Sequence, residues 1–375
     1  MAQALYVIAG ELSGDAHGAG MLRALAALHP DLEIHGAGGP EMHELSGGKV
    51  RDWVEDAAVM GFWEVLKRYH WFKARFDEML AEAVALRPQA LVLVDYPGFN
   101  LRFAAAIRKA LPETHIIYYI SPQVWAWNKG RLPKMTRILD EMLCLFPFEQ
   151  AIFEGAGLKT TFVGHPLVDE LEARRTEISR DEKLVALLPG SREREIARLF
   201  PMMLESANRL HQKHPQVRFA ACGASPKLTT RMREMSAAAG MADLVRIEEG
   251  GAHTLMQQAA CGVVASGTAT LEAAYFGLPY CLVYKVAWPT YLAARLLVTI
   301  EHIGLINILA GTRVVEEFIQ GEAEAPQVER SLSRFLEDAA HREATRRQVL
   351  ATAAKLGATG AHERAANAVA RWLQS

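Results

Sequence analysis

The sequence predicts an α/β protein made of two doubly wound domains followed by a helical C-terminus. Short apolar runs of strand type alternate with helical stretches, and this alternation is typical of parallel sheets with helices on both faces. The segment 170–183 is charged and lacks apolar periodicity, so it indicates a linker. We therefore expect domains at 1–169 and 170–345, with a ligand cleft between them. Helices at 346–375 are expected to pack on the first domain or on a partner subunit.

Each expected strand is a short apolar run, the pattern of a strand buried in a parallel sheet. The first series comprises Leu5–Ala9, Ala90–Val94, His115–Ile120, Glu141–Phe146 and Thr160–Val163. The second series comprises Leu184–Leu188, Gln216–Ala221, Leu244–Glu248, Gly262–Ala265 and Pro279–Tyr284. Helices are expected near His17–Leu28 and Leu101–Lys109, and the stretch Gln327–Ser375 is helical in pattern throughout.

The composition excludes several classes of protein. With 50% hydrophobic and 22% charged residues, the chain is globular rather than disordered. A net charge of −2 argues against a nucleic-acid-binding protein, which usually carries a strongly basic domain. The four cysteines are far apart, so we predict no disulfide framework, in keeping with a reducing cytoplasm. The chain opens on a strand rather than a signal peptide, and no apolar run reaches the ~18–20 residues of a membrane span.

The loop after the first expected strand carries polar residues where ligands bind in doubly wound folds. It reads Gly10-Glu-Leu-Ser-Gly14, a spacing that differs from the dinucleotide-binding fingerprint. Glu11, Ser13 and Gly14 are candidates for substrate contacts. The alternative is a tight turn with helix capping by Ser13 or Asp15. Glu11 is harder to explain as a cap because it precedes the glycine turn.

Asp95 stands at the carboxyl end of the expected strand Ala90–Val94, where ligands bind in open α/β sheets. A carboxylate in this position can accept a proton from a sugar hydroxyl. The alternative is that Asp95 or Asn100 caps the following helix. Pro97 favours a stiff loop in both cases.

Two tryptophans, Trp125 and Trp127, follow the expected strand His115–Ile120. Side chains alternate in direction along an extended chain, so both indoles are expected on one face. This favours a joint role in a substrate-binding wall, and bracing of the loop's own core is the alternative. His165, close to the expected linker, is a further binding candidate, although a lone histidine is more often structural.

In the second half, the expected strand Leu184–Leu188 leads through a Pro-Gly turn into a helix. The backbone at Gly190 and Ser191 and the guanidinium fork of Arg192 can hold a phosphate at the helix start. A surface pair between Arg192 and a nearby glutamate is the alternative.

The segment after the expected strand Gly262–Ala265 has the same order of strand, turn and helix. Ser266, Gly267 and Thr268 suit a phosphate, and Glu272, one helical turn further, suits ribose hydroxyls. The alternative is a capped helix with an exposed glutamate. The sequence has no metal-binding motif, so no metal or other cofactor is expected.

The segment Phe62–Phe76 interleaves aromatic residues with Lys67, Arg68, Lys73 and Arg75 at roughly helical spacing. Such a helix can lie on a membrane surface, because it pairs apolar area with cations that attract anionic lipid. A packed surface helix with a solvated basic edge is the alternative.

Nine motifs, in this order and spacing, resemble one family over nearly the whole chain. They are Gly10–Asp15, Gly38–Met42, Val59–Gly61, Asp95–Asn100, Ser121–Trp127, Pro147–Glu149, Val163–Pro166, Leu188–Arg192 and Ala265–Glu272. The family that they resemble is lipid-A-disaccharide synthase.

The resemblance implies a GT-B glycosyltransferase with two Rossmann-like domains, UDP held mainly by the second, and no metal. It implies transfer from UDP-2,3-diacylglucosamine to the 6-hydroxyl of 2,3-diacylglucosamine 1-phosphate, giving the β-1,6 lipid A disaccharide 1-phosphate and UDP. A cytoplasmic enzyme in peripheral contact with the inner membrane is expected, and the resemblance permits a homodimer through C-terminal segments.

One segment departs from the family pattern Leu-Pro-Asn-x-Leu-Ala-Gly-Arg. The chain has Ile306 and Thr312 in place of the proline and the arginine, whereas Asn307 is kept. Asn307 is a candidate for positioning either substrate. Arg313, one position later, is a candidate substitute for the missing arginine.

An α-linked donor and a β-linked product favour a single displacement with inversion through an oxocarbenium-like transition state. We expect Asp95 to be the general base, with Glu11 as the competing candidate, and Arg192 to neutralise the leaving diphosphate. Another GT-B enzyme of UDP-sugars is the first alternative, either a peptidoglycan glycosyltransferase or a UDP-N-acetylglucosamine epimerase. A non-catalytic nucleotide-sugar binder is the second.

Overall fold

The computed structural model describes residues 3–57, 69–127, 129–288, 291–292 and 301–374. The chain forms two compact units. The first combines Met1–Pro166 with Gly357–Ser375, and the second is Leu167–Leu356. Each unit has its own parallel sheet covered by helices, which confirms the predicted pair of Rossmann-like α/β folds.

The first unit is built on a seven-stranded parallel sheet with the order β3-β2-β1-β4-β5-β6-β7. Its strands are β1 (Ala4–Ala9), β2 (Glu33–Gly38), β3 (Val50–Asp52), β4 (Ala90–Val94), β5 (His115–Tyr119), β6 (Glu141–Cys144) and β7 (Thr160–Phe162). Its first seven described helices are α1 (Leu12–Leu28), α2 (Pro40–Leu45), α3 (Val54–Ala57), α4 (Tyr69–Leu86), α5 (Pro97–Ala110), α6 (Leu132–Ile138) and α7 (Pro147–Gly155).

Strands β1 and β4 mark the topological switch point of this sheet. From β1 the chain adds β2 and β3 on one side and then returns to place β4 on the other. The loops after β1 and β4 are therefore neighbours at the carboxyl edge, the usual ligand position in such sheets. All five residues of β4 are buried, as helices on both faces require.

The second unit has a six-stranded parallel sheet with the order β10-β9-β8-β11-β12-β13. Its strands are β8 (Asp181–Leu188), β9 (Arg218–Gly223), β10 (Val245–Glu249), β11 (Ala259–Ala265), β12 (Tyr280–Tyr284) and β13 (Glu317–Ile319). Its described helices are α8 (Leu167–Glu172), α9 (Glu193–Lys213), α10 (Pro226–Ala238), α11 (Ala252–Gln258), α12 (Ala269–Tyr275), α13 (Leu305–Ala310), α14 (Ala325–Glu337) and α15 (Ala339–Ala353). Strands β8 and β11 form the switch point, where Leu188 pairs with Val264.

The C-terminal helix α16 (Ala361–Leu373) belongs to the first unit and packs against α1. Glu141, fully buried on β6, accepts hydrogen bonds from Trp372 Nε1 (2.6 Å) and Arg371 Nη2 (3.2 Å). The sequence predicted helix throughout Gln327–Ser375, with residues 346–375 packing on the first domain or on a partner subunit. In the structure α14 and α15 belong to the second unit and α16 to the first, so the division falls after Leu356.

The predicted starts of two helices were wrong. Helix α1 begins at Leu12 rather than near His17, and α5 begins at Pro97 rather than near Leu101. The expected linker 170–183 includes the end of α8 and the start of β8. Strands β2, β3 and β13 went unpredicted because they are short or contain glycine and polar residues rather than an apolar run.

Candidate active site

In the first unit, the switch point brings Glu11 and Asp95 to adjacent loops. Glu11 is the exposed N-cap residue of α1, in extended conformation, and its side chain caps no backbone N–H. Gly10 before it packs against the ring of Tyr96, since a Cβ atom at this glycine would lie 2.3 Å from Tyr96 Cδ1. The close approach of these two loops therefore requires glycine at position 10.

The remaining candidates of this loop divide by exposure. Ser13 lies in the first turn of α1 and is exposed, so its hydroxyl is available to a ligand. Gly14 is buried beneath the loop, where its Cα faces Ala9 and Val94, and can offer a ligand no side chain.

Neither Ser13 nor Asp15 caps α1, contrary to the capping alternative, because the N-cap residue of this helix is Glu11. The Asp15 carboxylate accepts hydrogen bonds from the backbone N–H groups of Gly39 (2.8 Å), Glu41 (3.0 Å) and Met42 (3.1 Å). Asp15 therefore caps the start of α2 rather than that of α1, and its buried carboxylate is a structural group.

The backbone of Asp95 is held in an unusual conformation. Asp95 and Tyr96 have φ values of 45° and 49°, a left-handed region that non-glycine residues rarely adopt. The Asp95 carbonyl accepts hydrogen bonds from Asn100 Nδ2 (2.8 Å) and from the hydroxyl of Tyr118. Strain of this kind persists where the surroundings over-determine it, and it concentrates at functional sites.

These contacts also bear on the capping alternative for this loop. The Asp95 side chain does not cap α5, whose N-cap residue is Tyr96. Asn100 braces the strained turn, and it also donates to the Val94 carbonyl (3.2 Å). The Asp95 carboxyl itself lies near Glu11 and accepts a hydrogen bond from the Tyr96 backbone.

The electrostatic surroundings of the Asp95 carboxyl suit a base. Burial, followed by the nearby negative charge of Glu11, raises its pKa from 3.8 to about 6. A hydrogen bond from the Tyr96 backbone opposes this shift. The carboxyl is therefore ionised at neutral pH and yet more basic than an ordinary aspartate.

The two tryptophans do not share a face, contrary to the alternation argument, because residues 124–126 form a turn rather than an extended strand. Trp125 is 8% exposed, and its indole N–H donates to Glu149 Oε1 at 2.9 Å. Glu149 is itself buried and also accepts from the Phe146 backbone N–H (3.1 Å). Trp125 therefore braces the loop, whereas Trp127 is 46% exposed.

His165 is packed among rings rather than presented to solvent. It makes an edge contact with Phe146, with ring centroids 5.4 Å apart. Burial, followed by the proximity of His17, lowers its pKa to about 4. His165 is therefore neutral at physiological pH, which favours the structural alternative over binding of an anion.

In the second unit, Gly190, Ser191 and Arg192 form the turn between β8 and α9. Gly190 has a φ of +102°, which favours glycine, and Ser191 is exposed. Arg192 is the N-cap residue of α9, and its side chain is 77% exposed. Its guanidinium lies 3.3 Å from Glu195 Oε1, so it adopts the surface pair that was the alternative. Such an exposed pair contributes little and can open for a ligand.

The neighbouring strand β11 ends in the second predicted turn. Ser266 is half-buried and hydrogen-bonded through its backbone N–H to Val283 (3.0 Å), whereas Gly267 and Thr268 are exposed. Because β8 and β11 are paired, these residues share an edge with Gly190 and Ser191. The two turns thus bring several exposed polar groups to one edge of the sheet.

Glu272 has a partner that sequence reasoning missed. His253 Nε2 lies 2.9 Å from Glu272 Oε2, and Arg174 Nη1 lies 2.8 Å from His253 Nδ1. Because arginine only donates, Nδ1 accepts and the ring proton on Nε2 donates to the carboxylate. The chain Arg174–His253–Glu272 therefore orients the carboxylate, and no sequence signal connects residues so far apart.

Asn307 has no polar atom left for a substrate. It is 0% exposed. Its amide donates to Val315 O (2.9 Å) and Glu317 Oε1 (2.8 Å), and its oxygen accepts from the N–H groups of Val314 (2.8 Å) and Val315 (3.0 Å). The prediction that Asn307 positions a substrate is corrected to a structural role, in which it and the buried Glu317 hold the segment 303–317 together.

The segment Phe62–Phe76 is described only from residue 69 onwards, so Lys67 and Arg68 lie outside the described residues. Trp71 stacks on Trp53 at 6.1 Å between ring centroids, and Phe76 packs edge-on against Phe99 and Phe103. These aromatic residues turn towards the core, as the packed-helix alternative predicts, rather than towards a membrane.

The two described cations of this part of α4, Lys73 and Arg75, have different surroundings. Arg75 forms an ion pair with Glu78 (2.5 Å), whereas Lys73 is exposed. Within the described ranges, no helix is long and apolar enough to cross a membrane. Over the same ranges, no group of three or more His, Cys, Asp or Glu side chains could hold a metal ion.

Solved structures of low sequence identity share the fold. A UGT transferase from Siraitia grosvenorii in complex with UDP is similar over 100% of both chains, with a TM-score of 0.59 and 12% identity. UDP-GlcNAc 2-epimerase from Neisseria meningitidis, bound to UDP-GlcNAc, is similar over 99% of both chains, with a TM-score of 0.56 and 11% identity. These likenesses confirm the GT-B type of α/β fold.

Sequence relatives are far more similar. Lipid-A-disaccharide synthase of Geobacter sulfurreducens is 39% identical over 380 residues, which cover 98% of this chain and 97% of the relative. Lipid-A-disaccharide synthase 1 of Legionella pneumophila is 36% identical over 345 residues, covering 90% and 89%. A model of the lipid-A-disaccharide synthetase family matches residues 5–370. The chain therefore belongs to this family of glycosyltransferases of lipid A biosynthesis.

Proposed function

We propose that the chain transfers 2,3-diacylglucosamine from its UDP derivative to the 6-hydroxyl of 2,3-diacylglucosamine 1-phosphate. The products are the β-1,6-linked lipid A disaccharide 1-phosphate and UDP. Membership of the family supports this choice of substrates. The observation that carries the chemistry is the Asp95 carboxyl, which combines a strained, braced backbone with a raised pKa at the switch point of the first sheet.

Asp95 is the general base of this proposal. A base works best when its pKa lies near the operating pH, and the pKa of about 6 meets this condition better than that of an ordinary aspartate. Glu11 remains the competing base because it lies in the adjacent loop and is exposed. Its charge also supports Asp95, since it helps to raise the pKa of that carboxyl.

The departing UDP is stabilised by the turns of the second unit. The turn at Gly190 and Ser191 stands at the start of the 21-residue helix α9, where the N–H groups and the helix dipole favour an anion. Arg192 releases Glu195 and supplies its guanidinium to the diphosphate. Gly267 and Thr268 add donors from the neighbouring turn, and Glu272 accepts the ribose hydroxyls. These groups act where negative charge develops, so the proposal needs no metal.

We propose a single displacement with inversion. The base removes the proton of the acceptor hydroxyl as that oxygen attacks the anomeric carbon, while the bond to UDP breaks on the opposite face. Catalysis requires both half-sites to act on one pair of substrates. A cleft that joins them stays a prediction from the doubly wound pattern.

Both substrates carry acyl chains, so we propose that the chain works as a peripheral protein at the cytoplasmic face of the inner membrane. A large hydrophobic side chain is exposed next to the acceptor edge, since Leu12, beside Glu11, is 63% exposed. Residues 62–68 and Lys73 remain candidates for the same contact.

Incubation of the protein with both diacylated substrates, followed by mass detection of the disaccharide and of UDP, tests the proposal. The proton–proton coupling at the new anomeric carbon separates inversion from retention. A parallel reaction with plain UDP-N-acetylglucosamine is the control for donor choice. Consumption of that donor without formation of a disaccharide from the acylated pair would overturn the proposal.

A further inference from the structure

The indole of Trp127 lies exposed on the protein surface and carries a cation. The guanidinium carbon of Arg131 lies 4.9 Å from the centroid of this ring. Exposing nearly half of a tryptophan leaves part of its flat ring face open to a ligand. The pair combines a flat apolar face with a positive charge.

The position of Trp127 is set by the buried part of its own loop. Val124 and Trp125 are buried, and Glu149 anchors the Trp125 indole at 2.9 Å. The backbone N–H of Ala126 donates to Gln123 O at 3.1 Å, which closes the turn before Trp127. A loop fastened in this way presents the exposed indole at a defined place, which lowers the entropic cost of binding.

The loop that carries Trp127 and Arg131 lies at the same sheet edge as Asp95. The loop follows β5, and β5 pairs with β4 directly before Asp95, with Val94 opposite Tyr119. The hydroxyl of Tyr118 donates to the Asp95 carbonyl. Burial has the largest effect on the pKa of the Tyr118 hydroxyl and raises it. The charge of Asp95 raises this pKa further, whereas the charge of Arg131 lowers it. Asp95 and Arg131 therefore both lie near the Tyr118 hydroxyl.

The surroundings of Arg131 leave its guanidinium without a carboxylate partner in the part of the chain that the structure describes. Among the residues that the structure describes, no carboxylate lies within ion-pair distance of its guanidinium. Two other arginines of the unit are paired: Arg108 with Asp140 at 2.5 Å and Arg75 with Glu78 at 2.5 Å. An arginine without a carboxylate keeps its fork of donors for a bidentate anion, and phosphate matches that geometry.

We propose that Trp127 and Arg131 form the subsite for the phosphomonoester end of the sugar acceptor. One face of the hexose packs on the indole, and the guanidinium binds the phosphate on the anomeric carbon. This subsite orients the acceptor so that its far hydroxyl points towards Asp95. The inference rests on the proposed function, because it assigns a phosphorylated sugar to the first unit.

The test compares Arg131→Gln with the parent protein on two acceptors, 2,3-diacylglucosamine 1-phosphate and the same sugar without phosphate. A lost hydrogen-bonded contact to a charged group corresponds to a rise in KM of roughly 10- to 100-fold for the phosphorylated acceptor. We expect a much smaller change in kcat and no change in the KM of the UDP donor. With the unphosphorylated acceptor, the variant and the parent should be equal.

Arg137→Gln is the matched control, because Arg137 is exposed on α6 and the substitution removes the same charge six positions away. It should leave both KM values unchanged. Trp127→Phe, which keeps an aromatic face, should raise the acceptor KM less than Trp127→Ala does. Far-UV circular dichroism verifies folding of each variant.

Two failures are distinguishable. If the parent forms no disaccharide, the proposed function fails. If the parent forms the disaccharide and Arg131→Gln loses equal activity on both acceptors, or loses none, the assignment of the phosphate to Arg131 is overturned and the proposed function stands.

Discussion

The substitution Asp95→Asn should lower activity and raise stability at the same time. It keeps the size of the side chain and an oxygen that can accept the Tyr96 backbone hydrogen bond, but it removes the negative charge and the basicity. A positioned general base contributes about 10²–10⁴-fold, so we expect turnover to fall by that factor. UDP binding should remain, because the proposed nucleotide groups lie in the other unit.

The effect on stability follows from the raised pKa of Asp95. Folding shifts this pKa from 3.8 to about 6, so the folded state holds the proton more tightly than the unfolded state. The carboxyl therefore costs stability progressively as the pH rises from about 4 to about 6. A shift of this size corresponds to about 3 kcal/mol at pH 7, and solvent at the half-buried carboxyl reduces it to about 1–3 kcal/mol. Asp95→Asn should gain this amount at pH 7 and nothing at pH 3.5.

Asp15→Asn is a matched control with the opposite sign. The substitution is chemically identical and lies in the neighbouring loop, but the Asp15 carboxylate accepts three backbone N–H groups at the start of α2. Weakening these charge-assisted bonds should cost about 1–3 kcal/mol. Urea unfolding at pH 7 and at pH 3.5 measures both variants, and a coupled UDP-release assay measures turnover. Near-normal turnover of Asp95→Asn, or a loss of stability at pH 7, would refute the reasoning.

Three further predictions test other groups. Glu11→Gln should lower the pKa of Asp95 and move the acidic limb of the kcat/KM profile to lower pH; a collapse of turnover at every pH would instead make Glu11 the base. His253→Ala should weaken UDP binding roughly 5-fold in calorimetry, because Glu272 loses its orienting hydrogen bond; unchanged affinity would remove Glu272 from the ribose site. Glu141→Gln should lower the free energy of unfolding by about 1–3 kcal/mol, because charge-assisted bonds to α16 are lost; an unchanged melting temperature and unchanged proteolysis of that helix would contradict this role.

The surroundings of Asp95 combine several features that are unfavourable for stability. Asp95 combines a left-handed backbone, a partly desolvated charge and a nearby like charge from Glu11. Each of these features destabilises the folded state, and Asn100 and Tyr118 offset them by binding the Asp95 carbonyl. Such a concentration of unfavourable terms is common where a residue must be reactive rather than stable.

The sequence by itself determined the fold class and the places where the chemistry is expected. The runs Ala90–Val94 and Leu184–Leu188 are continuous and apolar, which is the pattern of strands buried on both faces, and both lie within strands of the structure. Polar residues directly after such strands reach the carboxyl edge whatever the details of packing. The order of the motifs indicated the family, which the relatives confirm.

Only the tertiary structure decided what individual side chains do. Trp125 and Trp127 have the same chemistry and spacing, but a turn buries one and exposes the other. Asn307 looks available in the sequence, yet four hydrogen bonds within its own segment occupy it. His253 meets Glu272 only because two helices are neighbours in space. Local patterns set the backbone type, whereas side-chain direction and partners depend on contacts between distant parts of the chain.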